Sequence, residues 1–100
     1  MLIAHVTFAV AEPERQAALA SLVAEAETVR AMPGCLAFTP FADPIDRQKV
    51  GIVHEWETIE QFRAYTQSPS FAASGRMLRP MMVDQPVSRR FEATLIESIN

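Results

Sequence analysis

An α+β domain of βαββαβ order, with its helices on one face of an antiparallel sheet, is the fold this sequence predicts. Three observations point to it. Leu2 to Val10 is apolar on both of its strand faces. Breakers at Met32-Pro33-Gly34, Asp43-Pro44-Ile45-Asp46 and Asp84-Gln85-Pro86 cut the chain into pieces of strand and helix length. At 100 residues and 49% hydrophobic, the chain makes a single domain too small to hide all its apolar surface.

The first strand is expected over Leu2 to Val10, with Leu2, Ala4, Val6, Phe8 and Val10 on one face and Ile3, His5, Thr7 and Ala9 on the other. A strand apolar on both faces belongs at the centre of a sheet that is covered on both sides. Glu12-Pro13-Glu14 opens a helix, with proline in its first turn and acidic residues at the positive end of the dipole. Leu19, Leu22, Val23, Ala26 and Val29 follow helical spacing, and Glu25 and Glu27 are read as turned outward. This helix ends at Pro33-Gly34.

Cys35 to Phe41 and Lys49 to Trp56 read as a hairpin joined through the Asp43–Asp46 turn. Thr58 is a good N-cap for a short helix carrying Ile59, Phe62, Arg63 and Tyr65. Ser68-Pro69 caps a further helical segment to about Met81, and Val87 to Ile96 is the last strand. The order is the ferredoxin-like one, in a single domain over residues 1–100. Its helices cover only one side of the sheet. The doubly apolar first strand therefore calls for a second copy on the other side, giving a homodimer of the dimeric α/β-barrel kind.

A net charge of −3 with scattered basic residues argues against nucleic acid as a partner. The start of the chain lacks a basic signal region and no stretch has the length to span a bilayer, so no membrane partner and a cytoplasmic location are expected. Cys35, the only cysteine, excludes an internal disulfide and reads as a small buried residue.

The stretch Glu55-Trp56-Glu57-Thr58-Ile59-Glu60-Gln61-Phe62, followed by Tyr65-Thr66-Gln67-Ser68-Pro69-Ser70-Phe71, resembles the antibiotic biosynthesis monooxygenase family. Pro33-Gly34-Cys35 after the first helix adds to the match. The resemblance implies the same dimeric fold and a group that includes cofactor-free monooxygenases acting on phenols or quinols, haem-degrading enzymes and small-molecule isomerases. It also marks departures. Phenol-oxidising members carry Asn where this chain has Ile52 and Tyr where it has Phe62. The haem-ligating His of the degrading branch is Gly75 here, so haem is not expected. Many members have His where this chain has Tyr65 and Ser70.

The candidates for chemistry are few. His5 and His54 are the only imidazoles and so the only histidine bases, though a histidine on an apolar strand equally serves as a hydrogen-bonded structural residue. Parity groups His54 with Ile52 and Trp56. Two histidines with no third ligand make a poor metal site, and no metal or other cofactor is expected. Trp56 is the expected stacking wall for a flat substrate, or a core residue closing the strand-to-helix junction. Tyr65 is a candidate hydrogen-bond donor. Phe62, Phe71 and Met77 are expected to line an apolar pocket, with Arg76 at its mouth for an acidic group.

The expected function is cofactor-independent oxygenation of a phenolic, quinol or polyketide-like aromatic molecule. A non-catalytic small-molecule-binding or regulatory dimer, and an isomerase or cyclase of the same fold, are the alternatives.

Overall fold

The computed structural model describes residues 1–100. Strand β1 (Leu2–Ala9) leads through a single helical turn (Glu12–Glu14) into helix α1 (Arg15–Arg30). Strands β2 (Cys35–Ala42) and β3 (Lys49–Trp56) follow, then helices α2 (Ile59–Thr66) and α3 (Pro69–Leu78), a second short turn (Arg79–Met81) and strand β4 (Val87–Glu92). The sheet runs β2-β3-β1-β4 with every pair antiparallel. This is the ferredoxin-like α+β arrangement that the sequence predicts, and β1 is central.

Local signals account for the element ends. Gly34 takes φ 82°, a conformation that only glycine adopts freely, and its carbonyl accepts from the Glu57 backbone N–H at 2.8 Å. The helix is thereby stopped and β2 is aligned with the end of β3. In the hairpin loop, Asp43 Oδ1 accepts from the backbone N–H groups of Ile45 (2.8 Å) and Asp46 (3.0 Å), so the aspartate itself closes the turn. The Thr58 hydroxyl accepts from Gln61 N and the Ser68 hydroxyl from Phe71 N, each at 3.2 Å, capping α2 and α3.

Strand β4 is shorter than the sequence predicts. The Met1 ammonium donates to Ala93 O at 2.8 Å and the Ala93 N–H donates to Met1 O at 2.7 Å. The only neighbour of β4 is β1, so beyond Ala93 no strand remains to pair with, and residues 94–100 are exposed and irregular.

The core lies between the sheet and the helices. Ala4, Val10, Phe38, Val50 and Trp56 from the strand side meet Ala18, Leu22 and Val29 of α1, all with no exposed surface. Arg30 ties α1 to β2 by donating from Nε and Nη2 to the Phe38 carbonyl at 3.0 and 2.8 Å. Val23, expected inward, is exposed, because the buried stripe of α1 runs through Ala18, Leu22, Ala26 and Val29. The opposite face of the sheet has no cover within the chain. It presents His5, Thr7, Phe41, Val53 and Phe91, exposed or half-buried. No helix is long and apolar enough to cross a membrane.

Candidate active site

A cavity of about 250 Å³ lies between the sheet and the three helices. Val6 and Phe8 of β1 and Ile52 and His54 of β3 form its floor. The helices contribute Leu22, Phe62, Tyr65, Phe71 and Leu78, so most of the wall is apolar. Polar groups enter at few points, as is usual in a small-molecule site. These are His54, Glu25 of α1, Ser74 of α3, and Arg79 and Arg90.

His54 sits among aromatic rings, with Phe38, Phe62 and Tyr65 at centroid distances of 5.4, 5.5 and 5.8 Å. Trp56, two residues on and therefore on the same strand face, donates its indole N–H to His54 Nδ1 at 2.9 Å. Indole nitrogen can only donate, so Nδ1 is the acceptor and the ring proton of neutral His54 is on Nε2. That Nε2 is buried and has no hydrogen-bond partner. Burial first, then the positive Arg90 and the charge of His5, lower the pKa of His54 to about 4. At neutral pH the residue is an uncharged N–H donor, with its basic lone pair occupied by Trp56. It is not the free base that the sequence suggests.

The acceptor at this site is Glu25. Ala18, Leu22, Glu25 and Val29 recur at helical spacing, so Glu25 lies on the inward stripe of α1 and not outward as its charge suggests. Ser70 Oγ donates a long 3.4 Å hydrogen bond to Oε2, while Oε1 is buried without a partner. Burial raises the carboxyl pKa above its ordinary value, against the opposing pull of the Ser74 and Ser70 hydroxyls. A desolvated carboxylate with a raised pKa is suited to general-base work. Tyr65 stacks on Trp56 at 5.3 Å and touches Phe71 edge-on at 5.3 Å. Burial, with the Glu25 charge second, pushes its hydroxyl well above the usual phenolic range, so Tyr65 stays protonated.

A family model for antibiotic biosynthesis monooxygenase matches residues 1–76. The chain belongs to the antibiotic biosynthesis monooxygenase family. A candidate member of that family from Deinococcus radiodurans superposes with a TM-score of 0.88 at 22% identity, over 100% of this chain and 97% of that one. Another candidate from Nitrosomonas europaea gives 0.89 at 13% identity, over 95% and 100%. A crystal structure of an antibiotic biosynthesis monooxygenase gives 0.86 at 17% identity, also over 95% and 100%. At these identities the likeness is one of fold. No curated protein matches the chain.

Within this family frame the structure sorts the residues that the sequence singled out. His54, Tyr65, Phe62 and Phe71 all line this cavity. His5 does not. It pairs with Val53 while Ala4 pairs with His54, and that one-residue offset puts the two imidazoles on opposite sheet faces. His5 is exposed, with its ring 5.4 Å from Phe91. Trp56 is fully buried behind His54 and is no part of the wall, so its contact with a ligand would be indirect. Arg76 and Met77 are exposed on the outer side of α3, and Arg79, one turn further on, lines the cavity instead. Ile52, Phe62 and Gly75, where characterised branches carry working groups, all fall on the wall, and Ser70 holds Glu25. The residue that sequence reasoning missed is Glu25.

Proposed function

We propose that the protein is a cofactor-independent oxygenase of a compact phenolic or quinol substrate. The observation that carries this reading is a largely apolar cavity holding one desolvated carboxylate, Glu25, and one uncharged N–H donor, His54. Glu25 removes the substrate's hydroxyl proton. His54 Nε2–H and the Arg90 guanidinium, which lies 4.9 Å from the centre of the Phe62 ring, stabilise the resulting anion. The electron-rich ring then reduces dioxygen. One oxygen atom enters as a new ring carbonyl in place of two hydrogens, and the other leaves as water. The chain's share is to bind, take the proton and exclude solvent.

A cavity of about 150 Å³ holds one benzene ring, so about 250 Å³ suits one substituted ring or two fused rings. Oxygen uptake by the purified protein with single- and two-ring hydroquinones tests the assignment. Uptake above the uncatalysed rate is expected, with a hydroxyquinone product that carries one atom of labelled dioxygen, since dehydrogenation to the simple quinone inserts none. Autoxidation rates alone across the panel would overturn it, and would favour the non-catalytic binding module.

The same reading includes a homodimer that covers the open sheet face. Its support is the apolar character of that face at Phe41, Val53 and Phe91, together with Leu95, Ile96 and Ile99 on the exposed tail. Sedimentation should give twice the chain mass of 11.1 kDa, and Val53→Lys should shift the protein to monomer. A wild-type monomer at micromolar concentration would refute it.

A further inference from the structure

We infer that the substrate carries a permanent negative charge, a carboxylate on its ring, and that Arg79 at the cavity mouth selects it. The inference rests on the cavity being the ligand site but not on its oxygen chemistry.

The alternation of β4 is reversed. On the helix-facing side of the sheet β1 presents Leu2, Ala4 and Val6, and their partners on β4 are Glu92, Arg90 and Ser88. The apolar Val87 and Phe91 pair with Thr7 and Ile3 and share the opposite, open face. A strand beside a core turns its apolar set inward, and such a local rule is broken most often where function needs it. Here the inward set brings Ser88 and Arg90 to the cavity, and Arg79 reaches it from the turn after α3.

Two guanidinium groups, Arg79 and Arg90, therefore line the cavity against one carboxylate, Glu25, with His54 uncharged at neutral pH. Two cations against one anion leave one positive charge, on the wall of a chain whose net charge is −3. No carboxylate of the chain neutralises it. The ion pair present is Arg47 with Glu12, and Glu25 bonds the Ser70 hydroxyl. Moving a proton from a phenol to Glu25 relocates the negative charge and leaves the same positive excess. A bound ligand strips water from these groups, and a charge without water needs a partner. A monoanionic ligand supplies one both before and after the proton moves. A phosphate monoester, at about −1.5 to −2, would overshoot.

Geometry divides the two arginines. Arg90 lies 4.9 Å from the Phe62 ring centre, donates from Nε to Ser88 Oγ at 3.2 Å, and acts by its charge on His54. It belongs with the group that holds the developing phenolate. Arg79 has no ion-pair partner. Its Cζ, Nη2 and Nε lie 3.7, 3.8 and 3.9 Å from the place that a Cβ on Gly75 would take. The carbon is the nearest of the three, so the guanidinium turns its flat face to the cavity-lining Gly75 and keeps its N–H edge free. Such an edge takes a carboxylate through two parallel, charge-assisted hydrogen bonds, an advantage that a neutral amide lacks.

The probes are a hydroxynaphthoate, with hydroxyl and carboxylate on separate rings, and its primary amide, which has nearly the same shape and no charge. Calorimetric titration of the full chain at neutral pH and low salt should give a Kd about tenfold or more lower for the carboxylate. Added salt should narrow that gap. Arg79→Gln should bring the two constants together, and Arg79→Lys should keep part of the difference. Arg76→Gln, on the outer side of α3, should keep all of it. Circular dichroism shows whether each variant is folded. Equal constants in the wild type, an undiminished gap in folded Arg79→Gln, or a gap lost in Arg76→Gln overturns the inference. Oxygen uptake from hydroquinones with no preference for carboxylated ones keeps the oxygenase and removes this selection. Carboxylate-selective binding without oxygen uptake from any hydroquinone does the reverse.

Discussion

Glu25→Gln is expected to lower turnover of the hydroxyaromatic substrate by about 100- to 10,000-fold, the usual worth of a positioned general base. The amide keeps the size and can still accept from Ser70, which bonds Oε2 at 3.4 Å, so α1 and the cavity wall should stay in place. It cannot take a proton. KM should change little, because apolar side chains dominate the wall and bind the ring before and after proton removal alike. The pH profile follows from the same carboxyl. Its pKa is raised above 4.5 chiefly by burial, and the ionised form is the working one. The wild-type rate should therefore climb with pH through an inflection above 4.5, and the variant should lose that limb. Glu27→Gln, two residues on and exposed, should behave as wild type. Steady-state oxygen uptake on the two variants and the wild type gives all of these quantities. Equal kcat in folded Glu25→Gln would remove this residue from the mechanism.

The fold was readable because its signals are local. Thr58 and Ser68 announce helix starts by their side-chain chemistry, Gly34 announces a stop by its backbone freedom, and Asp43 announces the hairpin. The end of β4 was not readable, since Val87 to Ile96 has a strand's composition throughout. What ends the strand is the end of its pairing with β1 at Leu2 against Glu92, a fact about pairing rather than about the segment. The site was half readable for a related reason. Parity within β3 groups His54 with Trp56, and their hydrogen bond follows. Whether His5 joins them depends on register between strands, which parity does not contain. Glu25 was hidden by a sound rule. Charged residues on an amphipathic helix nearly always point outward, and a rule built on the usual case misplaces a half-buried carboxylate that lines a cavity. The spacing of Ala18, Leu22, Glu25 and Val29 was the available signal.

Acid should destabilise the protein by on the order of 3 kcal/mol between pH 6.5 and about 4 through His54 alone. Its pKa falls from 6.5 in the unfolded chain to about 4 in the folded one, so over this window the unfolded state binds the extra proton. Stability is therefore full above 6.5 and is lost as pH drops towards 4. The cause is burial among Phe38, Phe62 and Tyr65, which leaves an imidazolium without water, with Arg90 adding repulsion. Protonation at Nδ1 would also turn the acceptor for Trp56 into a second donor and break the 2.9 Å bond. Glu25 acts in the opposite sense. Its folded pKa is raised, so its protonation favours the folded chain as pH falls and offsets part of the loss. Asp43 has a lowered pKa from the backbone N–H groups of Asp46 and Ile45, and its effect is confined to the region below its ordinary 3.8. Urea denaturation of wild type and His54→Gln at several pH values isolates the histidine. The wild type should lose stability towards pH 4 with a slope that His54→Gln lacks, whatever the cost of the substitution itself at neutral pH. Parallel pH profiles for the two proteins would mean that His54 is hydrated in the folded chain through the cavity that it lines.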